Sequence, residues 1–373
     1  MIASRGHRAV VALMRGGLGL PPGPGAVADI AATDPHRIME IAGAHRLLQA
    51  LAPGLEGGLE AGAPLAAALP EDAVLFLREM RAGNGRRNAR LAAALGQAGR
   101  ALAAGGIAAI ALKGGAELAQ EAGRDAPVPD RFAGDLDLLV EEVRAEAAQQ
   151  LLIGAGWREG EMPRIERARH HHLPPLVHPD HPGMIELHRR VGHAPVAAAL
   201  PAAEVISRAQ ATALPGIRVP DPADRLAHLA LHAQFGNPGW AERRLRLCDV
   251  ADIARAVQAH GAPALEAARA RCAAAGRGDA FDGLVGAAHL LVPERVPAPP
   301  AGPRSDAWAQ AAVARLGRTG ALRRAYLVRR ARERLDELLH DPERRAHWRR
   351  RLAEPGAVRR AWAALRESLR RLS

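Results

Sequence analysis

The stretch Gly105–Val140 reads GGIAAIALKGGAELAQEAGRDAPVPDRFAGDLDLLV and holds Lys113, the single lysine of a 373-residue chain that carries fifty arginines. "IAAIAL" is a short, continuous apolar run with a Gly pair on either side, the pattern of a buried strand. "AELAQEAG" predicts a short helix closing at Gly123. After a loop with two prolines, "DLDLLV" predicts a second strand. Side chains two apart on a strand share a face, so Asp135 and Asp137 project together while Leu136 and Leu138 point into the core. "EEVRAEAAQQLLIGAG" then predicts an amphipathic helix with acids in its first turn and glycines past its end. "HHHLPPLVHPDHPGMIELHRRV" predicts two extended segments about a proline-rich turn, with Glu186 and His188 on one face of the second. Strand, helix, strand, helix and further strands make a compact α/β (α+β) unit.

Outward from this unit the patterns turn helical. Residues 1–24 end in "GGLGLPPGPG" and are expected to be loosely ordered. Residues 25–103 carry apolar positions at helical spacing, as in "PHRIMEIAGAHRLLQALA". The α/β core is placed at 104–196, a helical domain at 197–300, and an Arg-rich helical tail at 301–373 after the break "VPERVPAPPAGPR". The fold class expected is therefore a small α/β core with a mixed sheet, flanked by N-terminal and C-terminal helical regions.

Composition agrees with a helix-rich chain: 48% of residues are hydrophobic, only 3% aromatic, and Ala, Leu and Arg, all good helix formers, are abundant. Two cysteines, Cys248 and Cys272, offer neither a disulfide framework nor a paired metal motif, which points to a reducing, cytoplasmic setting. No apolar run reaches the roughly 18 residues of a membrane span, and the N-terminus lacks a signal-peptide cleavage pattern. The net charge of +11 is concentrated late: from Ala321 onward sixteen arginines face seven acids.

The Asp135/Asp137 pair carries the chemistry. Adjacent carboxylates repel each other unless a cation lies between them, so neutralising either is expected to leave the fold intact or slightly more stable. Mg²⁺ suits such a pair, being oxygen-seeking and commonly held by a few carboxylates plus substrate phosphates. Gly114 and Gly115, between a strand and a helix, would let backbone N–H groups approach a phosphate. Glu186 offers a third carboxylate.

The series "LKGGAELA…R…GDLDLLV…GW…IELH", with "DRLAHLALHAQ…RLCDVADIARAV" downstream, resembles the uncharacterised nucleotidyltransferase family of the DNA polymerase β superfamily. The resemblance covers roughly residues 100–260 and, more weakly, the N-terminal helices. It implies a polymerase-β-like nucleotidyltransferase core in which Gly114 and Gly115 match the glycine motif. Asp135 and Asp137 match the metal-binding pair, and Glu186 the third acid and catalytic partner. The segment before Glu186 is long, and nineteen residues separate Gly115 from Asp135, more than in the minimal superfamily pattern. By the same resemblance two Mg²⁺ ions and a nucleoside triphosphate would serve the reaction. A small-molecule, peptide or protein would accept the nucleotidyl group, and pyrophosphate would leave. In that setting Lys113 becomes a point charge for the triphosphate. Arg131 becomes a second positive contact, and His188 a pocket wall.

His170, His171, His172, His178, His181, His188 and His193 invite a zinc centre, but alternating strand geometry would send neighbouring histidines to opposite faces. The basic tail could bind nucleic acid, as in a toxin–antitoxin-type RNA-modifying enzyme. Its arginines are interspersed with Glu333, Asp336, Glu337 and Glu343, which favours a solvated helical face. A non-catalytic nucleotide-binding module would not need the intact acids.

Overall fold

The computed structural model describes residues 2–56, 62–122, 130–162 and 170–370. Seven short strands lie among the described residues: β1 Ala109–Ala111, β2 Leu136–Leu139, β3 Arg158–Glu159, β4 Leu176–Val177, β5 Met184–His188, β6 Gln210–Ala211 and β7 Ile217–Val219. They form one mixed sheet in the order β3-β4-β5-β2-β1-β7-β6. β1 runs antiparallel to β2, with Ala111 opposite Leu138. β2 runs parallel to β5, with Asp137 opposite Glu186 and Leu139 opposite His188. The principal helices are α1 Arg5–Gly17, α2 Glu71–Ala104, α3 Lys113–Glu121, α4 Ala145–Gly154, α5 Pro222–Leu231, α6 Leu247–Ala274, α7 Gly278–Leu291 and α8 Thr319–His340. α6 is broken at Gly261, which has φ +75°.

Alternation along the strands divides the core in two. Ala109, Ala111, Leu136 and Leu138 pack with Leu91, Leu95 and Leu102 of α2 and Leu152 of α4. Ile110, Leu112 and Leu139 face the other way, into a cluster that takes in Leu13, Ile41, Leu226, Ile253 and Phe281 of the flanking helices. Asp137 shares its strand face with Leu139, so it sits where the sheet meets those helices. The strand period therefore sets the site at the junction of sheet and helices.

Three expectations need correction. Residues 1–24 are not loosely ordered throughout: α1 spans Arg5–Gly17 and buries Val10, Leu13 and Met14. The run "HRAVVALMR" supplies enough apolar surface to dock a helix, and the Gly/Pro segment only ends it. The sheet also continues beyond residue 196, because β6 and β7 come from the region expected to be helical and β7 pairs in parallel with β1. A three-residue strand is too short to show a period. Its docking depends on Gly99 of α2, where a Cβ would lie 2.4 Å from the Pro215 carbonyl oxygen. Finally, Gly114 and Gly115 lie in the first turn of α3, which begins at Lys113, and not in a turn before it.

Among the described residues no helix is long and apolar enough to cross a membrane. In the tail, Arg329 of α8 donates to Glu242 Oε1 at 2.7 Å, which ties α8 to the body, and Arg330 pairs with Glu333 at 3.3 Å.

Candidate active site

β1 is followed by Leu112, whose N–H donates to the Asp137 carbonyl at 2.9 Å. The chain then turns at Lys113, which takes φ +48°, a left-handed conformation that non-glycine residues seldom adopt. The turn directs the lysine side chain back over β2. At Gly114 a Cβ would fall 2.4 Å from Arg131 Nη1 and 3.1 Å from Ala133 Cβ. The glycine therefore admits the loop that leads into β2. That loop is pinned from the other side by α2: Asn88 Nδ2 donates to the Arg131 carbonyl at 2.8 Å, and Arg87 donates to the carbonyls of Ala133 and Gly134 at 3.1 and 2.9 Å. Gly183, at φ +79°, brings β5 in so closely that a Cβ would meet the Gly134 carbonyl oxygen at 2.7 Å.

Asp137 is the hub of the cluster. Its side chain is 1% exposed, and its Oδ1 accepts from Lys113 Nζ at 2.7 Å and from His188 Nε2 at 2.8 Å. Burial alone would raise its pKa, but Lys113 and His188 more than offset that and hold it well below the usual carboxylate range. Burial opposes charge on Lys113 too, and Asp137 outweighs it, so the ammonium stays charged. Glu186 lies across the β2–β5 pairing, its Oε2 3.6 Å from His188 Nε2 and 3.5 Å from His172 Nε2. Asp135 differs from both. It makes no hydrogen bond or ion pair among the described residues, and burial together with the Asp137 charge pushes its pKa up. The expected mutual repulsion thus falls on Asp135 alone, because Asp137 is neutralised by two partners.

Beside the acids opens a cleft of about 120 Å³, walled by the sheet end, by the Arg46–Ala50 segment and by the start of α6. Lys113, Gly114, Arg131 and Asp135 line it, whereas Gly115, Asp137, Glu186 and His188 do not. His188 is 1% exposed and stands behind Asp137, so it is not a pocket wall. Arg131 is also placed differently from expectation. Its Nε lies 2.9 Å from Asp252 Oδ2 and 3.7 Å from Glu117 Oε1, which commits the guanidinium to bracing α3 against α6. Arg246 and Arg255, also in the wall, pair with Asp249 and Asp252, each at 2.6 Å.

Arg46 is the cation that sequence reasoning missed. It lines the cleft, is exposed, and makes no side-chain hydrogen bond or ion pair among the described residues. Its field lowers the Asp135 pKa, in opposition to the burial that raises it. Arg46 takes φ +55°, in the break between two helices that the sequence pattern ran together. Nothing in its local sequence marks it out among fifty arginines. Its neighbour His45 anchors the segment, accepting the Leu247 N–H through Nδ1 at 3.1 Å. Burial, then the nearby His7, Arg246 and Arg244, push the His45 pKa down to about 3. A histidine held neutral loses stability for the fold as pH falls below its unfolded value of about 6.5. Denaturant titrations should therefore show that the stability advantage of wild type over His45→Gln shrinks from about pH 6.5 downward.

The histidines cluster more tightly than strand alternation predicts. His170 and His171 lie in a bend, and only His172 makes a β-bridge, to His188. The rings of His170 and His171 stack at 4.3 Å, and His193 meets His171 at 4.3 Å. Ligand atoms of His170, His171 and His172 converge within 4.8 Å, as do those of Asp137, Glu186 and His188. The acids suit a divalent cation. Among the described residues Asp137 Oδ2 is buried without a hydrogen-bond partner, the Asp135 side chain has none either, and Glu186 is in register with Asp137. Such an orphaned buried oxygen is costly unless something binds it.

No curated protein and no solved structure matches the chain. The family model described as "Uncharacterised nucleotidyltransferase" matches residues 31–293, a span that takes in α2, the whole sheet and the helices through α7. With the glycine turn, the paired acids and the cleft all inside that span, the chain belongs to the uncharacterised nucleotidyltransferase family.

Proposed function

We propose that the protein transfers a nucleotidyl group from a nucleoside triphosphate to a small-molecule, peptide or protein acceptor, with Mg²⁺ and with release of pyrophosphate. One observation carries this reading: Asp135 and Arg46, neither with a hydrogen bond or ion pair among the described residues, line one cleft together with Lys113, which is paired to Asp137, itself in register with Glu186. Acids on one side, and on the other a cation with no side-chain partner among the described residues, suit a triphosphate that must meet both a metal and a counter-charge. Asp135, Asp137 and Glu186 would hold the Mg²⁺. When bound, the ion supplies charge neutralisation for the triphosphate and acidifies the acceptor hydroxyl.

The chain's own groups do the rest. Arg46 binds the β and γ phosphates as a forked donor, and Lys113 adds a point charge from the mouth of the α3 turn. The acceptor oxygen attacks the α phosphorus as the bond to the bridging oxygen breaks, and that electron pair leaves with pyrophosphate. Asp135 lines the cleft and has a raised pKa, so its carboxylate is better placed than Glu186 to receive the acceptor proton. The segments that wall the cleft come from three parts of the chain, which orients the nucleotide and excludes water.

Position-specific labelling tests the reaction class. With Mg²⁺, label from the α phosphate should appear in an acceptor, and label from the γ phosphate should appear only in pyrophosphate. Transfer of the γ label to an acceptor would mean a kinase-type reaction instead. Arg46→Ala should weaken binding of a non-hydrolysable triphosphate by about ten- to a hundredfold, the worth of one charge-assisted contact. Since the Arg46 side chain has no partner to abandon among the described residues, the variant's thermal stability should stay at the wild-type value.

A further inference from the structure

His172 and His188, with Glu186 between them, have a geometry that the nucleotidyl-transfer reading leaves unexplained. We propose that these three side chains, with Asp137, form a binding site for a first-row transition-metal ion of the zinc class, so that one cation position of the acidic cluster prefers such an ion to Mg²⁺. The inference rests on that same acidic cluster and specifies which ion part of it selects.

Ligand atoms of Asp137, Glu186 and His188 lie within 4.8 Å of one another, and His172 Nε2 reaches the group through Glu186. Glu186 Oε2 stands 3.5 Å from His172 Nε2 and 3.6 Å from His188 Nε2. Ligand atoms around a tetrahedral ion with bonds of about 2.0–2.1 Å lie roughly 3.3–3.4 Å apart. Both separations are too long for a good hydrogen bond, so the carboxylate oxygen is not satisfied by either ring. Asp137 Oδ1 continues the series, 2.8 Å from His188 Nε2. That contact is a hydrogen bond in the metal-free protein, and an ion would take the place of its proton.

The rings are also held in the orientation a metal needs. His172 Nδ1 lies 2.6 Å from the Leu173 carbonyl oxygen, and His188 Nδ1 lies 3.4 Å from the Arg190 carbonyl oxygen. The short backbone contact at His172 Nδ1 fixes the proton there and turns the Nε2 lone pair toward Glu186, the usual outer support of a metal-bound imidazole. The His172–His188 bridge sets the two rings side by side, and both residues are buried. Only Glu186, with its side chain 21% exposed, keeps the site in touch with solvent. Two imidazoles and two carboxylates select zinc, cobalt or their neighbours, whereas magnesium takes oxygen ligands and retains water.

Calorimetric titration of the chelator-treated full chain with ZnCl₂, and separately with MgCl₂, tests this without nucleotide. One Zn²⁺ per chain should bind about a hundredfold or more tighter than Mg²⁺. CoCl₂ should give visible absorption bands characteristic of nitrogen ligation. His172→Gln and the more exposed Glu186→Gln should each weaken Zn²⁺ binding about tenfold or more, while His171→Gln should leave it unchanged. Zn²⁺ affinity no better than that for Mg²⁺ would overturn the proposal. So would loss of binding in His171→Gln but not in His172→Gln, which would place the ion on the His170–His172 triplet. If zinc binding fails while Mg²⁺-dependent triphosphate binding persists, only this inference falls. Zinc binding without any triphosphate binding would remove only the proposed reaction.

Discussion

Asp137→Asn is expected to unfold at markedly lower denaturant concentration than Asp135→Asn, although both should lose most nucleotidyl transfer. The two aspartates are two residues apart, Asp135 just before β2 and Asp137 within it, yet their surroundings are opposite. Asp137 neutralises Lys113 and His188 in a buried site, so its replacement strands both cations together. Breaking a buried pair by removing one partner costs about 3–5 kcal/mol. Asp135 has no partner among the described residues and a pKa raised by burial and by Asp137, so removing its charge relieves a cost. Its variant should match or slightly exceed wild-type stability. Transfer should fall by about a hundred- to a thousandfold in each variant, as when preorganised charge stabilisation is removed. Denaturant midpoints followed by circular dichroism, paired with transfer assays, separate the effects. Equal midpoints for the two variants would contradict the ion-pair account of Asp137.

Lys113→Ala is expected to lose roughly ten- to a hundredfold in triphosphate affinity, and Lys113→Arg to recover only part of that loss. The ammonium is 20% exposed, held to Asp137 Oδ1 at 2.7 Å, and at the same time part of the cleft wall. A guanidinium keeps the charge but needs room for a planar fork beside Gly114, and that room is already occupied by Arg131 Nη1. The Ala variant should also lose stability, because Asp137 then keeps only His188. Equal triphosphate affinity in wild type, Ala and Arg proteins would reduce Lys113 to a structural counter-ion.

The strands that carry the acids were legible because a period of two over "DLDLL" and "MIELH" leaves only one face for the carboxylates. That reasoning put Asp135 with Asp137, and Glu186 with His188. It could not supply register, which is decided by the pairing of β2 with β5 and places Glu186 opposite Asp137. The Lys113–Asp137 pair was hidden for the same reason, since it depends on the antiparallel approach of β1 and on a left-handed turn at a lysine. Arg46 was illegible because its position comes from a helix break at φ +55° and from packing more than sixty residues away in sequence. Arg131 looked like a free loop cation only because Asp252 lies 121 residues downstream. The histidine triplet was misjudged because strand alternation was applied to a bend. Local period finds faces, and tertiary pairing decides which charges meet.

The most direct test of the central claim is calorimetric titration of a non-hydrolysable nucleoside triphosphate into wild type and Asp135→Asn, with and without Mg²⁺. Asp135 suits this comparison because its loss should not disturb the fold. Wild type should bind in a Mg²⁺-dependent manner, and Asp135→Asn should bind about tenfold or more weakly at the same Mg²⁺ concentration. Equal affinities in the two proteins, or binding in wild type that is indifferent to Mg²⁺, would contradict a metal–nucleotide site built on these acids.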